Sequence, residues 1–305
     1  MQFPISKRLS LTLGLLFLAA FINSVKAQVI ADTTEHWKYG GNLNINFSQV
    51  ALENWTGGGQ NAISVNGSLH FEAAYEKDKA AILNKLDLGY GLIRQGSFND
   101  GFRKSDDQLQ IRTNYTRNIS KNLELSGALN FQTSMTQGFD YTEDDQGNEQ
   151  QALISDFMAP GYLVSTVGFA YTPSENLSLI LAPVSGKTTF VLNDRLSDQG
   201  TYGVPAGKQV RQEIGANFQL DAHGSLAKNV SYQTTARLFS AYDDPLEVDI
   251  NWDGQLNLKV NDYLTTNLTI ALIYEEDVDV NRADGTTGPD TQFKEVLAVG
   301  LNFRL

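Results

Sequence analysis

The residues with chemistry to offer are spaced by two, not by three or four. Lys85, Asp87, Arg112, Arg117, Arg211, Glu213, Arg237, Glu247, Asp249, Asp253, Lys259 and Glu295 stand in runs where polar residues alternate with apolar ones. Side chains two apart on an extended chain share one face. Such charges therefore gather on one wall of a sheet. Charges of both signs inside a closed sheet can select a polar solute. The same charges, paired with one another, can instead fill the interior. Eight-stranded barrels are filled by side chains and sixteen-stranded ones leave an aqueous channel. For an intermediate size both readings stay open.

Other chemistries are less well supported. Hydrolysis would need a Ser–His pair oriented by a third group. Only His36, His70 and His223 are present, and there is no GxSxG elbow. His70 is predicted to face the interior. Asp277, Asp279, Asn281, Asp284 and Asp290 crowd one segment and could offer oxygen ligands to Ca²⁺. The glycine of the EF-hand pattern is misplaced, and a solvated acidic loop is the plainer reading. With no Cys there is no thiolate metal site, and no cofactor is expected. Asn54, Trp55, Gly57, Gly58 and Gly59 form an unusual loop. Its glycines allow positive φ and close backbone approach. It reads as a tight strand connection or as a site for a ligand or partner. No Gly-Lys-Ser/Thr follows, so it is not a phosphate loop.

The elements that must position these residues are long strands. From Leu246 to Val260 the even positions are Leu, Val, Ile, Trp, Gly, Leu, Leu and Val, and the odd positions are polar. Asn261-Asp262 turns the chain, and Leu264, Thr266, Leu268, Ile270, Leu272 and Tyr274 resume the alternation. This is the pattern of a hairpin. Its strands exceed the ~5–6 residues usual in soluble sheets and match the ~9–11 that cross a bilayer. The pattern recurs along the chain and predicts about twelve strands between residues 37 and 305. Pro183 and Gly186 interrupt one of them, where a bulge is expected. Turns near 76–79, 120–122, 173–176, 223–228 and 261–262 are short, and the alternate connections near 96–106, 136–157, 192–207 and 276–291 are long. That asymmetry, an even strand count and aromatics near strand ends (Trp37, Tyr39, Tyr75, Tyr242, Tyr274, Phe303) are the marks of a membrane barrel. The expected fold is all-β: a single transmembrane antiparallel up-and-down barrel. A soluble sandwich would have shorter strands.

The N-terminus fits this location. Lys7-Arg8, an apolar run over 9–22 and Val25-Lys26-Ala27 read as a cleaved signal peptide, residues 1–27, followed by a periplasmic linker, 28–36. Without Lys7, Arg8 and Lys26 the chain has 20 cations against 35 carboxylates, which argues against nucleic-acid binding. Lipid is the expected partner, together with the barrel-insertion machinery during assembly. The terminal strand (Leu297, Val299, Leu301, Phe303, Leu305) is the segment that machinery would read. A passive channel for small polar solutes in the outer membrane of a Gram-negative bacterium leads the functional readings. A non-conducting structural or partner-binding barrel comes second and a membrane-embedded hydrolase third.

Several segments also resemble a known family. They include Phe239-Ser240-Ala241-Tyr242, Val248-Asp249-Ile250-Asn251-Trp252, Leu256 to Asn261, Ile273 to Asp277 and Gln292 to Leu301. Asn54-Trp55, Pro183 to Lys187 and Gly203-Val204 fit as well. The pattern is similar to that of the Bacteroidota outer-membrane group known as domain of unknown function 3078. The resemblance implies an exported outer-membrane barrel from that phylum. It carries over no catalytic or binding residue. The ending Phe303-Arg304-Leu305 departs from the family's usual final Phe, which bears on assembly rather than on fold.

Overall fold

The computed structural model describes residues 36–50, 52, 60–96, 101–144, 146, 148–261, 264–282 and 286–304. The expected signal segment, all of the linker except His36, and the loop of Asn54, Trp55, Gly57, Gly58 and Gly59 lie outside the described residues.

In chain order the strands are β1 (Trp37–Val50), β2 (Ala62–Lys77), β3 (Ala80–Gln95), β4 (Arg103–Asn118), β5 (Leu123–Thr133), β6 (Gly138–Glu143), β7 (Glu149–Ser155), β8 (Gly161–Ser174) and β9 (Leu177–Phe190). A short helix, α1 (Asp194–Asp198), follows. Then come β10 (Val210–Ala227), β11 (Val230–Ala241), β12 (Val248–Lys259), β13 (Leu264–Tyr274), β14 (Asp279–Asn281), β15 (Thr287–Pro289) and β16 (Gln292–Arg304). Twelve of these close into one antiparallel barrel, in the order β1-β2-β3-β4-β5-β8-β9-β10-β11-β12-β13-β16 and back to β1. β6–β7 and β14–β15 are separate two-stranded hairpins within the long connections.

The alternation sets the register. Between β2 and β3, Leu69 pairs with Leu88 and Phe71 with Leu86, while His70 meets Asp87 and Glu72 meets Lys85. Between β12 and β13, Trp252 faces Leu272 and Leu256 faces Leu268, while Asn257 meets Asn267. A slip by one residue would invert every such pair. The apolar set points outward, where Ile214 is 67% and Leu297 68% exposed. Apolar surface on this scale all round a closed sheet is what hydrocarbon accepts and water does not. Closure also pairs the strand edges, which lipid cannot hydrogen-bond.

The two ends differ as predicted. Short turns join β2–β3, β4–β5, β8–β9, β10–β11 and β12–β13 at one end, which also holds the start of β1 and the end of β16 (the turn end). The long connections all lie at the other (the loop end). One predicted turn is misplaced. His223 and Gly224 lie inside β10, and the chain reverses at 228–229 instead. The inward series Asn217, Gln219, Asp221, His223 continues without a break, so the strand has no reason to stop there. At the turn end Trp37 stacks on Tyr39 at 6.0 Å and meets Tyr75 at 5.1 Å between ring centroids, an aromatic girdle as expected.

The expected bulge is present. Residues 182–184 of β9 lie opposite Gly168 on β8 and Ala216 on β10, where both registers shift. Pro183 cannot donate to a ladder, and its carbonyl accepts a hydrogen bond from the Tyr242 hydroxyl instead. Gly168 permits the resulting close approach, since a Cβ there would collide with the Leu181 carbonyl and Ala182 Cα. The barrel closes along a short seam. Among the described residues β1 and β16 pair over five positions, Asn42–Asn46 against Gly300–Arg304, whereas β1 and β2 pair over fourteen.

Candidate functional site in the barrel lumen

The bulge decides which residues of β9 reach the lumen. Before it, Ser178 and Ile180 point inward. After it the parity flips, so Val184 is outside and Ser185, Lys187 and Thr189 are buried inside. Lys187 thereby reaches across the lumen. Its Nζ donates to Asp249 at 2.6 Å, three strands away on β12, and lies 3.4 Å from Glu275 just past β13. The Tyr162 hydroxyl on β8 bonds Glu275 at 3.4 Å from the far wall. Beside this cluster Arg211 pairs with Glu213 at 3.1 Å and with Asp277.

A second set of ion pairs lies on the opposite inner wall. Asp87 accepts from Arg112 at 2.5 Å and lies 2.6 Å from His70 Nδ1. Lys294 on β16 donates to Asp106 on β4 at 2.5 Å, four strands away round the wall. Asn66 also donates to Asp106, at 3.3 Å. Between the two sets, Arg237 on β11 pairs with Asp253 on β12, the strand that also carries Asp249.

Two cavities run along the lumen, and Arg112, Gln233 and Thr235 belong to the linings of both. The larger, about 1580 Å³, is walled by Asn, Ser, Gln and Thr side chains and extends from Lys228 and Asn261 at the turn end to Asn66, Asp106 and Lys294 towards the loop end. The smaller, about 660 Å³, extends from Glu76, Glu124 and Glu175 at the turn end to Lys187, Tyr202 and Glu275 at the loop end.

A cap covers the loop end of the smaller cavity. Ala159, Val191, Leu196 and Val204 form a fully buried apolar core, with Leu153 and Tyr202 packed on it. Asn193 caps α1 by accepting from the Arg195 and Leu196 N–H groups. Its amide donates to Asp156 at 2.8 Å, tying α1 to the β7–β8 connection. Burial pushes the Asp156 carboxyl up, but hydrogen bonds from the Phe157 N–H, Asn193 and Gln137 outweigh it and hold the carboxyl below its ordinary value. The Tyr202 hydroxyl donates to the Ile154 carbonyl, and burial pushes this phenol up to about 12.

Seven of the predicted lumen residues line these cavities: Lys85, Asp87, Arg112, Arg237, Asp249, Asp253 and Lys259. Arg211 and Glu213 share the inward parity of Asn217 and lie at the loop-end rim. Three predictions need correction. Glu295 shares the parity of Leu297 and Val299 and faces outward, whereas its neighbour Lys294 lines the lumen. Arg117 shares the parity of Ile111 and Tyr115 and is exposed on the outer face near the turn end. Glu247 is exposed in the connection before β12, not on the wall. Lys187, Glu275, Tyr162, Asp106 and Lys294 were not foreseen. For Lys187 the usable signal was Pro183, since a bulge reverses parity. For Lys294 it was the apolar series of β16 itself. Asp277 and Asp290, considered as Ca²⁺ ligands, are each taken up by an arginine, Arg211 and Arg282. His70 is bonded to Asp87 and lies 3.8 Å from Glu72, and neither is a nucleophile's hydroxyl.

Residues 47–139 match the family model described as "Protein of unknown function (DUF3078)". No curated protein matches the chain. Among solved structures it is similar to the COG4313 outer membrane channel from Pseudomonas putida F1, at 13% identity and TM-score 0.40, covering 88% of this chain and 96% of that one. It is also similar to the translocator domain of autotransporter NalP from Neisseria meningitidis, at 8% identity and TM-score 0.38, with 97% and 98% covered. The NanC porin has 8% identity and TM-score 0.36, with 87% and 100% covered.

Proposed function

We propose that the protein is an outer-membrane channel of a Gram-negative bacterium, passing small polar solutes through the larger cavity without catalysis. The N- and C-termini then lie on the periplasmic side, where membrane barrels keep their short turns. The resemblance of the terminal third supports a Bacteroidota source. The observation that carries the reading is the polar cavity of about 1580 Å³, which spans most of the wall height from Asn261 to Asn66 and Asp106. Its lining balances four carboxylates (Glu72, Asp87, Asp106, Asp253) against four cations (Arg112, Lys228, Lys259, Lys294). A balanced wall repels neither sign, so weak ion selectivity is expected.

The test is single-channel recording of the protein, purified from membranes, in a planar bilayer. Discrete steps with weak selectivity support the reading. Asp106→Asn should shift selectivity towards anions and alter the closed fraction, because it releases Lys294 across the mouth. An inserted barrel without steps sinks the channel and leaves the second reading, a non-conducting barrel. The cap over the smaller cavity is the observation that favours that alternative.

A further inference from the structure

The inner wall is not uniformly polar. Ala128 on β5, Val164 and Ala170 on β8, Ile180 on β9 and Phe239 on β11 all line the smaller cavity. On each of these strands at least one inward position is apolar, beside polar ones such as Asn130, Thr166 and Arg237. Inward apolar side chains do nothing to hold a barrel in lipid. They also offer nothing to an ion-pair network that fills a lumen. What they do create is a partly apolar concave surface, interleaved with polar side chains such as Asn130, Asn217 and Gln219 and with carboxylates at both ends. That, at about 660 Å³, is the form and size of a small-molecule site.

The charges of this cavity differ from those of its neighbour. Six carboxylates (Glu76, Glu124, Glu175, Asp221, Asp249, Glu275) face four cations (Lys85, Arg112, Lys187, Arg237). At the covered end two carboxylates, Asp249 and Glu275, share the one ammonium of Lys187. Low-dielectric surroundings strengthen that imbalance. An anionic guest would meet a net excess of its own sign, while a cationic one is drawn in. With the cap over the loop end, the route in is from the turn end.

We propose that the smaller cavity is a binding pocket for a small amphiphilic amine. Its apolar body lies against Val164, Ala170, Ile180 and Phe239, and its ammonium is directed to Asp249 and Glu275. The pocket adjoins the proposed solute path at Arg112, Gln233 and Thr235, but Ala128 and Val164 line the smaller cavity and not the larger, so substitutions there address this pocket alone.

Equilibrium binding of radiolabelled octylamine, charged at neutral pH, and of octanoate to the membrane-purified protein in lipid nanodiscs tests this. Octylamine should bind saturably and at least ~10-fold more tightly than octanoate. Ala128→Trp, which fills the cavity, should abolish saturable binding, and Glu275→Gln should narrow the preference for the amine. If Ala128→Trp fails to fold, as judged by loss of the heat-modifiable band, Val164→Phe fills the same space from the next strand. Equal affinity for octanoate overturns the proposal. So does octylamine binding that survives a folded cavity-filling variant, which would be partition into lipid, and so does the absence of saturable binding. The channel reading fails separately: amine binding by a barrel that never conducts overturns that reading and leaves this one standing.

Discussion

Lys187 is the side chain on which the lumen's loop end depends. It is 7% exposed and holds two carboxylates, one on β12 and one just past β13, neither from a strand beside its own. Removing one partner of a buried ion cluster leaves the rest uncompensated, at a cost of about 3 kcal/mol or more. Lys187→Met should therefore lower the unfolding free energy by about 3 kcal/mol in urea titrations in lipid vesicles. A change under about 1 kcal/mol would mean that water already screens the cluster. Asp156 gives a pH prediction. Its folded pKa lies below its ordinary value of 3.8, so its contribution to the cap is present above that value and is lost as pH falls through the folded pKa. Protease cutting in 134–160 should rise below about pH 4 in the wild type. Asp156→Asn should show elevated cutting with little of this pH dependence, and an unchanged acid response in that variant would exclude Asp156 as its source. At this scale the sequence was half legible. Parity alone located Asp249, Asp253 and Arg112. It fails for Lys187 because a bulge intervenes, and for Glu295 because the apolar series of its neighbours, not its own charge, sets the face.

At the scale of the strand and its connections, period two was enough to find all twelve wall strands and both kinds of connection. Local alternation encodes a sheet face directly, and the turns between faces carry their own residue types. The hairpins β6–β7 and β14–β15 carry no such mark, since short strands outside the membrane need no apolar face and leave no period to detect. The cap was missed for a related reason. Ala159, Val191, Leu196 and Val204 come from two separate connections and show no pattern in either. Pairing geometry at the bulge makes a sharp prediction. Gly168→Val should lose folded barrel, because its side chain would strike the Leu181 carbonyl. Gly67→Val, with nothing within 4 Å of its Cβ, should not. The fraction that migrates as a heat-modifiable band reads both, and equal folding of the two would contradict the register. Leu256→Arg places a charge on the lipid face at a cost of up to about 2–4 kcal/mol, and should lower the same heat-modifiable fraction.

The whole molecule is one closed wall around two unlike compartments. One is polar and balanced in charge; the other is partly apolar, acidic and covered. Membrane location follows from the outer face and could be read from sequence. The division of the lumen could not, because it depends on which strands face one another across the ring. The short seam between β1 and β16 bears on this wall as a mechanical object. A hoop is as strong as its weakest stave joint, and five paired positions hold here what fourteen hold next door. Stress on the cylinder, whether from lateral pressure in the bilayer or from a solute wider than the bore, concentrates on that joint. The ladder between β1 and β16 is where the ring parts most cheaply.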